Sequence, residues 1–99
     1  MSGIFLLLGT NLGNRAANLS AAKQGIAQLG IELVQQSGVY ETAAWGKEDQ
    51  PNFYNQVVQI SHTGSPSGLL TQLLELELQL GRKRLEKWGT RIIAIDILN

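Results

Sequence analysis

With 99 residues the chain has room for one domain around one core, and an apolar fraction of 43% is that of an ordinary globular protein, not a disordered one. Eight Lys and Arg balance eight Asp and Glu, which argues against a general binder of nucleic acid or anionic membranes, since such proteins carry a basic excess. The absence of cysteine removes disulfides, thiolate metal sites and thiol catalysis. The apolar run Ile4 to Leu8 is too short to span a bilayer and lacks signal-peptide features, so the chain reads as cytoplasmic.

Ile4 to Leu8, closed by Gly9, suits a central strand covered on both faces. Gly9 to Asn14 reads as a turn, and a helix follows. Leu19, Ala22, Ile26 and Leu29 recur at spacings of three and four, Asn14 can cap the start, and Gly30 can end it. Ile31 to Tyr40 reads as a second strand with irregular alternation, which a bulge near Val34 or Gly38 would repair. Thr42 to Asn52 is a long connection for so small a domain, and long ordered connections are commonly functional.

Phe53 to Ser61 is the third strand, with Tyr54, Gln56, Val58 and Ile60 on one face and Phe53, Asn55, Val57 and Gln59 on the other. Ser65 and Pro66 open a second helix, and Gly81 stops it. Its stripe is Leu69, Leu73, Leu76 and Leu80, widened by Leu70 and Leu74. A basic connection then leads to a last strand, Ile92 to Leu98. The order β-α-β-β-α-β predicts one α+β domain over 1–99 of ferredoxin-like form: a four-stranded antiparallel sheet with two helices on one face.

Three places could carry chemistry. Five of the eight basic residues, Arg82, Lys83, Arg84, Lys87 and Arg91, crowd the segment between Gly81 and Ile92 with one acid, Glu86. Guanidinium forks suit phosphate oxygens, and Trp88 among them can stack on a planar ring; the alternative is a solvated charged connection. Asp96 shares a strand face with Ile92 and Ala94, opposite Ile93, Ile95 and Ile97. A carboxylate there calls for a basic partner such as Arg91, or for a divalent cation. Phe53 and Asn55 share a face, so a ring and an amide with an acceptor and two donors point together; equally, Phe53 could be core and Asn55 a polar residue near a turn. His62, the sole histidine, has no evident base or metal partner in the sequence and reads as surface.

Taken together, these segments resemble the 6-hydroxymethyl-7,8-dihydropterin pyrophosphokinases of folate synthesis. The matching pieces, in order, are Leu8-Gly9-Thr10-Asn11-Leu12-Gly13, Tyr40-Glu41-Thr42, Asp49 through Asn55, Glu77-Leu78-Gln79-Leu80-Gly81-Arg82, and Trp88-Gly89-Thr90-Arg91 through Asp96-Ile97-Leu98. The resemblance implies transfer of pyrophosphate from ATP to the pterin hydroxymethyl group, with release of AMP and a requirement for Mg2+. It implies a pterin pocket of Thr42, Phe53 and Asn55, with Phe53 stacking and Asn55 bonding the ring edge. It places Glu77, Arg82, Arg84, Trp88 and Arg91 on the ATP side, Arg82 and Arg91 acting on the phosphates as catalytic groups, and gives Asp96 the metal.

Two departures from the family pattern lower the activity expected of this chain. The family carries Asp-x-Asp on the last strand, and here the first of the pair is Ala94, which has no metal-binding atom; Thr90 also replaces the usual proline. Family members usually continue for several dozen residues, supplying a second aromatic for the pterin and further groups for ATP, so the chain is expected to lack that C-terminal segment. A non-catalytic pterin- or nucleotide-binding module on the same fold is the alternative. An RNA-recognition domain shares the element order, but Phe53 to Ser61 carries no basic residue. The oligomeric state is not readable from the sequence.

Overall fold

The computed structural model describes residues 3–44, 50–81 and 92–98. Five strands and two helices follow one another as β1 (Ile4–Thr10), α1 (Arg15–Gln28), β2 (Glu32–Gln36), β3 (Tyr40–Thr42), β4 (Phe53–Ser61), α2 (Pro66–Gly81) and β5 (Ala94–Leu98). The sheet order is β2-β4-β1-β5, with β3 also on β4 and every described pairing antiparallel. The expected ferredoxin-like α+β arrangement is therefore present. What reads in the sequence as one second strand is here two short pieces, β2 and β3, laid along the same edge of β4.

The interruption has a local cause. Pairing slips between Leu33 and Gln35, so Val34 forms a bulge, at one of the two expected positions. At residues 37–39 the chain leaves the ladder; Ser37 keeps one backbone bond, its amide donating to the Val57 carbonyl at 2.8 Å, and side chains supply the rest. Ser37 Oγ accepts from the Val57 amide at 2.9 Å, while Gln56 Nε2 donates to Ser37 O at 2.7 Å and to Gln36 Oε1 at 3.2 Å. Gln56, only 4% exposed on a face otherwise apolar, is thus the side chain that closes the gap in the edge.

Both helices cover one face of the sheet. Leu6 and Leu8 of β1, Val58 and Ile60 of β4 and Ile95 of β5 meet Leu19, Ala22 and Ile26 of α1 and Leu69, Leu73 and Leu76 of α2 in one core. α1 starts where Asn14 accepts from the Ala17 amide at 3.0 Å, and Gly30, at φ 82°, turns the chain out of it. Ser65 caps α2 by accepting from the Gly68 amide at 3.0 Å, with Pro66 as its first residue.

Several expectations need correction. Leu70 and Leu74 do not widen the buried stripe of α2: with Leu78 they stand 48%, 50% and 62% exposed, because the helix rests on the sheet and α1 through Leu69, Leu73 and Leu76, with Leu80 half-buried at the end of the stripe. β1 continues through Gly9 to Thr10, and β5 begins at Ala94 instead of Ile92. Leu7 and Phe5 on the second face of β1 are half-buried and exposed, so the strand is not doubly covered by these elements. His62 is half-buried, and its Nε2 lies 3.2 Å from Gln72 Oε1.

Candidate functional site

Because β1, β4 and β5 pair in register, the face turned away from the helices can be written row by row. Asn55 of β4, Gly9 of β1 and Ala94 of β5 form one row; Val57, Leu7 and Asp96 form the next; Gln59, Phe5 and Leu98 the third. Beyond Asn55 the β3–β4 edge adds Tyr40 opposite Asn55 and Thr42 opposite Phe53. Thr42, Phe53 and Asn55 therefore come together on this open face, as the sequence leads one to expect.

Asn55 is 9% exposed and fixed by its amide nitrogen, which donates to Thr42 Oγ1 at 2.9 Å and to the Tyr40 carbonyl at 3.3 Å. Both amide protons are thereby committed within the protein. No described residue donates to Oδ1, so the side chain has only an acceptor to offer a ligand, not the acceptor with two donors that the residue type allows. Thr42 accepts from Asn55 through Oγ1 and keeps its hydroxyl proton for another partner. Gly9 sits against this amide: a β-carbon there would lie 3.3 Å from Asn55 Oδ1, so the bare backbone leaves the oxygen its place.

The acids expected on the phosphate side are placed apart. Asp96 projects from the open face and is solvent-exposed, so burial does not force a partner on it, contrary to what its apolar strand neighbours suggest. Its neighbour in the same strand on that face, Ala94, offers no ligand atom. Among the described residues no group of three or more His, Cys, Asp or Glu could together hold a metal ion. Glu77 lies on α2, where Oε2 accepts from the Ile95 amide at 2.7 Å, a tie that seats the outer edge of β5 on the helix. Arg82, Arg84, Trp88 and Arg91 lie outside the described residues, as does the pairing of Asp96 with Arg91.

Sequence reasoning passed over the margin of the site. Arg15, one of the scattered bases, donates from Nη1 to the Asn52 carbonyl at 2.7 Å, lies 3.8 Å from Glu41 Oε2, and places its guanidinium 4.0 Å over the Tyr54 ring. Asn11 Nδ2 donates to the Pro51 carbonyl at 3.3 Å. The turn after β1 thus holds the segment that leads into Phe53. A signal existed: a cation in the first turn of a helix opposes the helix dipole, so Arg15 at that place needs a partner elsewhere.

No helix among the described residues is long and apolar enough to cross a membrane. The fold resembles that of prephenate dehydratase from Streptococcus mutans, with a TM-score of 0.52 over 99% of this chain and 43% of that one at 16% identity, a likeness of fold alone. The family model described as 7,8-dihydro-6-hydroxymethylpterin-pyrophosphokinase (HPPK) matches residues 5–99. The 2-amino-4-hydroxy-6-hydroxymethyldihydropteridine pyrophosphokinase of Methylorubrum extorquens is 42% identical over 99% of this chain and 63% of its own length. The protein of the same name from Aquifex aeolicus is 39% identical over 99% of this chain and 61% of its own. The chain thus spans about three-fifths of the length of these relatives. By this match over nearly its whole length, the chain belongs to the 7,8-dihydro-6-hydroxymethylpterin-pyrophosphokinase family.

Proposed function

We propose that this chain binds 6-hydroxymethyl-7,8-dihydropterin on the open face of its sheet and takes part in pyrophosphoryl transfer to it from ATP. The observation that carries the reading is Asn55: held by Thr42 and Tyr40, it presents a fixed Oδ1 to an N–H donor, beside the ring of Phe53. A flat heterocycle with N–H groups along one edge suits that pairing. In the reaction, the pterin hydroxymethyl oxygen attacks the β-phosphorus of ATP while the bond from that phosphorus to the α,β-bridging oxygen breaks. AMP leaves with the bridging oxygen, and the hydroxyl proton passes to solvent. Such a transfer needs alignment of the attacking oxygen and cations around the phosphates, not a covalent protein intermediate.

The rows of the open face support the alignment. Asn55 and Asp96 stand two strands and two residues apart, roughly 12 Å between backbones by ordinary sheet spacings. A bicyclic ring on Asn55 would extend its one-carbon arm along the sheet toward Asp96. Arg82, Arg84, Trp88 and Arg91 belong, in this reading, to the ATP side, with Arg82 and Arg91 acting on the phosphates, and Glu77 near them.

Mg2+ commonly takes one or two protein carboxylates, with water and substrate phosphates completing its shell. Asp96, exposed on the open face, fits as one such carboxylate, and Ala94 supplies none. When bound, the metal would neutralise charge on the phosphates. With one carboxylate in place of two, metal affinity and turnover are expected to be lower than in relatives that carry both. A cytoplasmic setting goes with this reading.

The test is AMP release from ATP with Mg2+, with and without the pterin, by the wild-type chain and by Ala94→Asp. Pterin-dependent AMP, larger for Ala94→Asp at limiting Mg2+, is the expected result. No pterin-dependent AMP from either, together with no measurable pterin binding, would overturn the proposal.

A further inference from the structure

We infer that Arg15 is a positioning residue for the pterin pocket: it clamps the two limbs of the β3–β4 connection together where Thr42 leaves and Phe53 enters. The inference rests on the proposed pterin site and concerns a residue outside it. Glu41 and Tyr54 face each other across the last rungs of the β3–β4 ladder, and Thr42 and Phe53 form the rung beyond. Arg15 touches both sides of the former rung, pairing with Glu41 at 3.8 Å and lying over the Tyr54 ring at 4.0 Å. Its shortest contact, 2.7 Å, goes to the carbonyl of Asn52, the residue just before Phe53. Asn52 closes the ring by approaching Glu41 Oε2 through Nδ2 at 3.5 Å.

The need for a clamp follows from the shape of the edge. β3 has three residues, is exposed along its length, and is separated from β2 by the break at residues 37–39. A three-residue edge piece joined to the sheet by one ladder frays unless something outside the ladder holds it. Yet β3 supplies both acceptors of the Asn55 amide, the Tyr40 carbonyl and Thr42 Oγ1. Fraying would free the amide to rotate and remove the single acceptor geometry on which ring recognition depends. Arg15 acts from the helix side of the sheet, through Glu41, Tyr54 and Asn52, on residues whose neighbours face the opposite side.

Magnitudes single out the hydrogen bond and the stacking. Arg15 and Glu41 have side chains 27% and 53% exposed, so their ion pair is a weak contribution. The charge-assisted bond to Asn52 O and the guanidinium over the ring are the stronger contacts. Arg15→Met keeps an unbranched apolar stem near Tyr54 but removes every donor, and Glu41→Gln removes the ion pair alone.

Two readouts test this. In native-state hydrogen exchange, Arg15→Met should raise exchange of the protected amides of residues 40–42 by roughly tenfold, the scale of one charge-assisted hydrogen bond, and leave β1 and β5 unchanged. Glu41→Gln should change them less than about threefold. In binding, Arg15→Met should weaken affinity for 6-hydroxymethyl-7,8-dihydropterin by about the same tenfold, with ATP affinity unaltered. Unchanged exchange at 40–42, or loss of protection spread evenly over the whole sheet, overturns the clamp. A wild-type chain that binds no pterin counts against the functional reading, and the exchange data then decide the clamp by themselves.

Discussion

Replacing Asn55 by Asp tests the orientation of the amide, because the two side chains share a shape and differ in what they donate. Asn55 gives two hydrogen bonds, to Thr42 Oγ1 at 2.9 Å and to the Tyr40 carbonyl at 3.3 Å, from a site only 9% exposed. A protonated Asp can supply one of them, so at pH 4 the variant should lose about 1 kcal/mol, one net hydrogen bond. An ionised Asp supplies neither. It sets a carboxylate oxygen against the Tyr40 carbonyl with little water to screen it, and the loss at pH 7 should be about 3 kcal/mol.

The sign follows from linkage. The folded site holds the carboxyl proton more tightly than the unfolded chain does, so the carboxyl pKa at position 55 is raised on folding. Over the interval between the unfolded and folded values the native state binds more protons, and stability falls as pH rises. The penalty is therefore smallest below the unfolded value, about 3.9, and complete above the folded one. Urea denaturation of wild type and variant at pH 4 and pH 7 gives the difference at each pH. With a slope of about 1 kcal/mol/M, the midpoint should drop roughly 1 M at pH 4 and roughly 3 M at pH 7. An equal drop at both values would mean that the amide nitrogen does not face these two oxygens, and the acceptor-only reading of Asn55 would go with it.

Two further changes probe the frame around the site. At Gly25, inside α1, a β-carbon would lie 2.5 Å from Leu76 Cδ1 and 3.2 Å from Cδ2. Gly25→Ala should therefore destabilise by about 1 kcal/mol, the clash outweighing the ~1 kcal/mol gain in helix propensity, and should turn stabilising in a Leu76→Ala background; urea midpoints of the four chains decide, and a more stable single variant would refute the close contact. Thr10, 1% exposed, donates to the Ile92 carbonyl at 2.6 Å and accepts from Asn18 at 3.1 Å, so Thr10→Val should lose about 2 kcal/mol at nearly constant volume, and a loss below about 0.5 kcal/mol would show those bonds to be dispensable.

Where one periodicity governed a segment, the sequence was readable. The alternation of β4 sent Val58 and Ile60 to the helices and Asn55 to the open face, and Asn14, Ser65 and Gly30 punctuated the helices through cap chemistry that acts within a few residues. The misreadings fall where distant parts decide. Leu70 and Leu74 lie within the apolar arc of α2, but only the sheet and α1 determine how wide an arc is covered. The break at residues 37–39 depends on Gln56, about twenty residues away, whose amide takes the place of ladder partners. Asp96 seemed in need of a partner because its strand is apolar, yet both helices cover the other face of the sheet and leave the face of Asp96 open to water. Arg15 appeared as a scattered charge since its partners, Glu41, Asn52 and Tyr54, lie far along the chain on either side of the β3–β4 connection.

These placements also explain why the site can be altered without altering the fold. The helix-side face carries the core, in which Leu6, Leu8, Val58, Ile60 and Ile95 of the sheet are buried against both helices. On the open face the row Asn55–Gly9–Ala94 has no side chain at its centre and a methyl at its end. An Asp at position 94 would meet the hydrogen of Gly9 across the pair instead of a packed side chain. It would stand two residues from Asp96 on the same face, roughly 7 Å away, where two unit charges repel by about 0.6 kcal/mol in water. That repulsion is small against the stability of a domain this size, about 5–15 kcal/mol, and a bound divalent cation would reverse its sign. A gain in Mg2+-dependent turnover on Ala94→Asp would therefore report the metal and the phosphates, since the sheet beneath has no reason to move.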